Sequence, residues 1–554
     1  MIALSALIMT GCVKKEINLE QVNTPALDPS FAMPLGEVNL NLGDLEAEAN
    51  INNLQYNNST TLFELVYKNR LFELTPNDLI TIPNQSYTSS FSLTPSDVTA
   101  FLATGAGITS TFLHTATFTF NVPNGAQLDS IVIQSGTLDL NLSSDFMHNV
   151  VTNITIPSLT QNGSPLQRVI YLNYSGSTPV ISNNPIDISG YTLDLTDGNT
   201  TNNTFKINLP IQITNSGNGL LGGEQLTSAM NLTIGAFESV WGYVGQQTNI
   251  INQDTTLITM FQETGGGDIH FEDPRIEITI GNTAGVEVQA QFSAILAPDN
   301  STIINLGGSG LNSIPLITGA SLPGDTAITT HTIDNSNTNP TLGQLVDEGP
   351  GKIIFNSTST TNPNGFAQNF VLGNSGIWCD AELILPLYGW ARNFTLKDTT
   401  DLDVESMLGI DTASNLTAED VKQVTIRLNV DNGLPIDAGV QLYFADTNNV
   451  IIDSLFQTTA GIENIFDHGI VDFTLPLSDP NYGKVTQSTV KTTDIVLTQE
   501  LIQKLLDNNS KKLIYKAKGL TNDAFSGQNV KIYPEYNVGI KVSAKVDFLI
   551  DLQH

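Results

Sequence analysis

The side chains with the means to do chemistry are six histidines, two cysteines and 55 aspartates and glutamates in a chain of 554 residues. Metal sites and hydrolytic centres place several such groups at short, fixed spacings. His114, His148, His270, His331, His468 and His554 stand far apart, and no His-Glu-x-x-His pattern joins any two. Serines lie among glycines at Gly307-Gly308-Ser309-Gly310 and Gly373-Asn374-Ser375-Gly376. Neither has the Gly-x-Ser-x-Gly order of a nucleophile elbow or reads as a strand-to-helix turn, so both are expected to be flexible turns. Gly265-Gly266-Gly267-Asp268 lacks the Lys and the following helix of a phosphate loop. Asp398, Asp401, Asp403 and Glu405 form the densest acidic group. A hard cation such as calcium would suit it, but the glycine and closing Glu of an EF-hand are missing, and a solvated acidic loop is expected. A glycosidase pair is defined by carboxylate separation in space and has no sequence signature. No catalytic residue, metal ligand or cofactor is assigned, and the chain is expected not to be an enzyme.

The charge balance narrows the partners. With 22 basic and 55 acidic residues the net charge is −33, which repels nucleic acid and leaves no basic patch to hold it. The same charge disfavours direct docking on anionic headgroups. Charged residues are only 14% of the chain while 40% are hydrophobic, so cores are affordable and the surface is built from Asn, Thr, Ser and Gln. Cys379, beside Trp378, is expected to be a small buried hydrophobe. Trp241, Trp378 and Trp390 each sit in an apolar run and are expected in the core, whereas Tyr533 and Tyr536 are candidates for exposure.

Period-two alternation dominates the elements that must position these groups. Ile276, Ile278 and Ile280 face one way. After the turn 281–285, Val286, Val288, Ala290, Phe292, Ala294 and Leu296 keep the rhythm, which reads as a β-hairpin or β-corner. Phe118 and Phe120, Leu138, Leu140 and Leu142, Phe205, Ile207 and Leu209, and Val424, Ile426, Leu428 and Val430 repeat it. Two helices have start signals: Thr94-Pro95-Ser96-Asp97, and Thr498-Gln499-Glu500 leading into Leu501, Ile502, Leu505 and Leu506. The fold class expected is mainly β: several tandem immunoglobulin-like antiparallel β-sandwich domains with a few short helices. Composition sets the divisions at 29–110 (a β region with a short helix), 111–265, 266–415 and 416–554 (three sandwiches, the last with one helix).

Three segments look alike: Asn208-Leu209-Pro210-Ile211 with Asn215 beyond, Asp273-Pro274-Arg275-Ile276 through Asn282 to Val286, and Val424 through Asn432-Gly433-Leu434-Pro435-Ile436 to Tyr443. Each is a strand, an Asn-bearing turn and a second strand. The form resembles the immunoglobulin-like sandwich of late-embryogenesis-abundant water-stress domains, over about 25 residues each, a length at which turn chemistry alone can produce it.

Cys12 carries the remaining signal. It closes the apolar run Met1–Gly11, and the polar stretch Val13-Lys14-Lys15-Glu16 follows at once. That is a secretory leader ending in small residues at a cleavage point, and with Cys after Gly11 it resembles the lipobox of bacterial lipoproteins. Met9 stands where the family usually has Leu, and the positive start of an export signal is missing, which an upstream start codon would supply. The resemblance implies a signal peptide over 1–11, lipidation of Cys12 and a tether over 12–28. The run is shorter than the ~20 apolar residues of a membrane span, so the expected membrane partner is reached through N-terminal acyl chains. The layout of lipobox, spacer and long Asn/Thr-rich β chain is similar to envelope lipoproteins of Bacteroidota. It implies an outer-membrane lipoprotein on the cell-surface or periplasmic face that binds or scaffolds other envelope proteins, in one form as an accessory subunit of an assembly, secretion or uptake machine. The alternative is a cell-surface protein that binds glycans or lipids.

Overall fold

The computed structural model describes residues 30–42, 53–259, 261, 267–296, 304–402, 418–457 and 461–549. Cys12, the signal peptide and the tether lie outside them, as do Asp403, Glu405 and His554. The chain is mainly β, and its sheets are antiparallel. No described helix is long and apolar enough to cross a membrane.

The chain begins with three strands, β1 (Ser30–Asn41), β2 (Leu54–Tyr56) and β3 (Phe63–Leu74). A set of β4 (Gln85–Ser92), β5 (Thr109–Thr119), β6 (Gln127–Ser144), β7 (Asn149–Gln161), β8 (Ser164–Leu172), β9 (Val180–Asp187), β10 (Thr192–Asp194), β11 (Thr204–Thr214) and β12 (Gln225–Tyr243) comes next. Eight of these make a sandwich: β4-β12-β6-β9 on one face and β8-β7-β11-β5 on the other. That strand order is a jelly roll. Its alternating positions, from Leu138, Leu140 and Leu142 to Phe205, Ile207 and Leu209, are buried between the sheets. The helix Pro95–Leu102 has its expected cap: Thr94 Oγ1 accepts from Asp97 N at 3.3 Å and Asp97 Oδ2 accepts from Thr94 N at 3.1 Å.

The following strands are β13 (Thr248–Leu257), β14 (Asp268–Phe271), β15 (Arg275–Asn282), β16 (Val288–Leu296), β17 (Ile304–Leu306), β18 (Ala327–Asp334), β19 (Lys352–Thr361), β20 (Asn369–Leu372) and β21 (Ile377–Pro386). They close around β3, with β18-β15-β21-β3-β2 as one sheet and β13-β19-β16-β17 as the other. The last strands are β22 (Tyr388–Asp401), β23 (Val421–Asn432), β24 (Ile436–Ala445), β25 (Ile451–Ser454), β26 (Glu463–Phe466), β27 (Ile470–Val471), β28 (Val485–Gln487), β29 (Thr489–Thr498), β30 (Lys512–Thr521), β31 (Val530–Lys531) and β32 (Asn537–Phe548). They take in β1, giving β1-β32-β23-β29 and β14-β22-β30-β24-β25.

The modules are therefore nested. The jelly roll sits between β3 and β13 of a middle sandwich, and the middle sandwich sits between β1 and β22 of an outer one. Strand pairing crosses the boundary expected near 110, because β1, β3 and β4 of the 29–110 region belong to three different sandwiches. The boundary near 265 falls between β13 and β15 of the middle sandwich, and that near 415 between β22 and β23 of the outer one. Alternation locates a strand but carries no record of its partner, so a first strand parted from its sheet by an inserted module looks like a separate region.

The outer and middle sandwiches are two copies of one plan. In both, the segment expected to be a hairpin or corner crosses between sheets, β15 to β16 and β23 to β24. The turn is built on a buried Asn. Asn282 Nδ2 donates to the carbonyls of Val286 (2.8 Å) and Thr318 (3.1 Å), and its Oδ1 accepts from Ala284 N (2.9 Å). Asn432 repeats the set with Ile436 O (2.9 Å), Asp467 O (2.9 Å) and Leu434 N (2.9 Å). Thr361 Oγ1 accepts from Gln247 N and Thr521 Oγ1 accepts from Ala391 N, both at 3.0 Å. A Thr-capped helix follows β18 and β29 alike, at Leu342–Val346 and Gln499–Asp507. The third look-alike departs from this scheme. Asn215 keeps the bond from Gly217 N (2.8 Å), but its amide nitrogen reaches back to Thr104 O (3.0 Å) in the jelly roll.

Candidate binding sites

Most residues singled out for chemistry are structural. Cys379 is fully buried, and burial pushes its thiol above the ordinary value, which makes it a packing residue. Ser375 is buried and its Oγ accepts from Leu372 N at 2.9 Å. Ser309 is the first residue of a four-residue helix that follows a short strand, unlike the turn expected, but the nearby His331 uses Nε2 to donate to Gly310 O at 2.7 Å. That nitrogen is therefore protonated and is no base for Ser309. Ser89 Oγ of β4 and His114 Nε2 of β5 are 2.7 Å apart. Asp398 accepts from Thr399 N at 2.7 Å and from Tyr515 Oη at 2.9 Å, and these bonds, the first above all, hold its carboxyl below the usual range. No group of three metal-ligating side chains is assembled among the described residues.

The aromatic expectations need correction. None of the three tryptophans is fully buried. Trp378 lies flat over Gly281 on the outer surface of its sheet, with the Arg70 guanidinium 5.0 Å from its ring. Tyr533 and Tyr536 are instead buried, edge to face at 5.6 Å. An aromatic inside an apolar run fits either face of a strand, and only the neighbouring strands decide which.

Two features point outward, and sequence reasoning named His270 and Trp390 of the first without bringing them together. The first is a cleft of about 330 Å³ where the middle module meets the outer one. Strand β14 leaves the middle module and pairs with the start of β22, Phe271 opposite Gly389 and His270 opposite Trp390. Phe271, Tyr388, Trp390, Phe394, Ile436 and Val530 line the cleft.

At its rim His270 Nδ1 lies 2.8 Å from Asp347 Oδ2 and its Nε2 lies 3.3 Å from Glu272 Oε2. With a carboxylate on each nitrogen the ring donates twice as an imidazolium, and no lone pair is left for base catalysis. The Asp347 bond is the main reason its pKa is raised. Trp390 stacks on the imidazole with centroids 5.4 Å apart, and Arg392, paired to Asp268 at 2.8 Å, lies 4.5 Å over the indole. The rim is a closed set of ion pairs.

His148 is the opposite case. It is fully buried in the jelly roll, its Nδ1 accepts from Ser216 N at 3.1 Å, and burial lowers its pKa. The two histidines therefore bend the stability curve in opposite directions. The His270 contribution is complete below about pH 6.5 and is lost as pH rises through its raised folded value. The His148 contribution is complete above about pH 6.5 and is lost as pH falls from there through its lowered folded value. Urea midpoints between pH 5 and 9 are expected to lose their alkaline slope in His270→Gln and their acid slope in His148→Gln.

Neither a family model nor a curated protein matches the chain. Among solved structures, a secreted protein of Parabacteroides distasonis superposes on 56% of this chain and 89% of its own, with 14% identity and a TM-score of 0.28. A triple jelly-roll turret protein of an archaeal virus covers 83% of this chain and 95% of its own, with 11% identity and a TM-score of 0.10. Scores this low carry no argument about fold or function.

The second outward feature is β1. It is the edge strand of its sheet and pairs with β32 alone among the described strands. Phe31, Met33, Leu35, Val38 and Leu40 are between 39% and 59% exposed. In the middle module the corresponding strand, β3, buries Tyr67, Phe72 and Leu74, stacks Phe72 on Phe292 at 6.1 Å, and has its outer edge capped by β2. The plan that is closed in one copy is open in the other.

Proposed function

We propose that this chain is a non-enzymatic lipoprotein of a Bacteroidota-type envelope, held on the outer membrane through acyl chains on Cys12, and that it binds other envelope proteins through the open edge at β1. The edge carries the reading. A long edge strand with an apolar face is a template for strand addition, and proteins that stay soluble blunt such edges or cover them; the one charge on β1, Glu37, is paired with Lys541 at 3.3 Å. Here β3 shows what the same position accepts when it is filled, an extended segment with Leu54 opposite Leu65 and Tyr56 opposite Phe63. Lipidation at Cys12 would put this edge 18 residues from the bilayer anchor, among other membrane-bound proteins.

The test is a photo-crosslinker at Met33 or Val38 in intact cells. One envelope protein recovered from both positions, and lost when Met33→Lys and Val38→Lys charge the edge, is the expected result. Crosslinks only to lipid, or within the chain itself, would remove the reading. Palmitate labelling that persists in Cys12→Ala would remove the anchor independently.

A further inference from the structure

The two module junctions are the same joint built twice, and their differences identify a ligand site. At the first joint β12 ends in Trp241-Gly242-Tyr243, with Gly242 opposite Leu128 of β6 and Asn369 of β20. At the second, β22 begins with Tyr388-Gly389-Trp390, with Gly389 opposite Phe271 of β14 and Val530 of β31. The Thr361 and Thr521 bonds bring Gln247 and Ala391 into correspondence just beyond. Between glycine and that point the first joint has Tyr243-Val244-Gly245-Gln246, and the second has only Trp390.

The longer loop fills the first joint. Val244 is buried there, and Gly245 O accepts from Asn362 Nδ2 at 2.8 Å. Asn362 and Asn369 are buried and bond amide to amide at 2.9 and 3.1 Å. In the second joint the loop is absent, Val530 stands in place of Asn369, and the space is the cleft of about 330 Å³.

We propose that this cleft binds an uncharged alkyl chain, such as that of a neutral lipid, alcohol or ester. Two of the polar side chains of its wall are already engaged: Thr521 with Ala391, and His270 with Asp347 and Glu272. Water needs two to four polar partners to be held, and an apolar cavity of about 150 Å³ stays dry and takes benzene. A cleft roughly twice that size suits a longer apolar body. The cations His270 and Arg392 are both paired with carboxylates, and Lys531, 5.1 Å over the Tyr388 ring, donates to Pro480 O at 3.0 Å, so each of the three already has a partner other than a fatty acid headgroup. The site is independent of the β1 edge.

Trp390 in the wall supplies the readout. Bromodecanol is expected to quench its fluorescence saturably, and Trp390→Phe, which leaves Trp241 and Trp378, is expected to lose that component. Val530→Phe fills the cleft and Val530→Asn restores the amide of the first joint. Either is expected to weaken quenching at least tenfold in protein whose urea midpoint is unchanged. Bromodecanoate is expected to bind more weakly than the alcohol. No saturable quenching of Trp390, quenching that survives both Val530 variants when folded, or tighter binding of the carboxylate would each overturn the assignment.

Discussion

Asn282→Ala is expected to destabilise the middle module by about 3 kcal/mol, and Asn432→Ala the outer one by a similar amount. Each amide satisfies three buried backbone groups. For Asn282 these are the carbonyls of Val286 and Thr318 and the N–H of Ala284. Truncation leaves all three without a partner at a site with no solvent exposure, and each costs on the order of 1–3 kcal/mol unless water replaces the lost group. Asn→Asp separates the parts. The carboxylate keeps the bond from Ala284 N but gives up both donors and places a charge in the core, so Asn282→Asp is expected to cost more than Asn282→Ala. A chain of three modules need not unfold in one step, so the quantity to read is the denaturant midpoint of the transition each variant moves. The two alanine variants should move different transitions if the modules unfold separately. A cost below about 1 kcal/mol at both positions would mean that the turns hold themselves without the amide.

These asparagines also show how far residue patterns reach. The strand–Asn–strand form was visible at both copies because its chemistry is local: an Asn, a carbonyl four residues on and an N–H two residues on. The carbonyls of Thr318 and Asp467, which complete the bond sets, come from loops far along the chain, and nothing near Asn282 or Asn432 announces them. The same divide runs through the whole molecule. Alternation placed β15, β16, β23 and β24, and cap chemistry placed the helices at Pro95 and Gln499. Nesting stayed hidden because β1 and β3 pair with strands hundreds of residues away. The cleft left one legible trace, the aromatic-Gly-aromatic triplets Trp241-Gly242-Tyr243 and Tyr388-Gly389-Trp390. Their meaning depends on the strand packed against each glycine, which spacing does not reveal. His270 gave no signal, since Asp347 reaches it only through the fold.

Gly389→Ala is expected to open the joint between the middle and outer modules. A Cβ at this position would run into the carbonyl of His270 and the backbone of Phe271, which are main-chain atoms of the paired strand and cannot rotate aside. The backbone conformation of Gly389 is open to other residues, as only its space is restricted, so the variant reports packing without added torsional strain. Gly242, by contrast, combines the same crowding with φ +120°, and Gly242→Ala adds strain to the clash. Overpacking of this kind costs about 3 kcal/mol where the neighbours cannot yield. The least costly relief is for β14 to detach, because it is only four residues long and pairs with β22 alone among the described strands. Amide exchange at 268–271 and at 389–392 is therefore expected to accelerate in Gly389→Ala, while the jelly-roll strands keep their protection. His270 would leave Asp347 and Glu272 with the strand, so the alkaline loss of stability assigned to that histidine should flatten in the same variant. Unchanged exchange across β14 would mean that the modules are held together elsewhere and that the glycine is not the hinge of the joint.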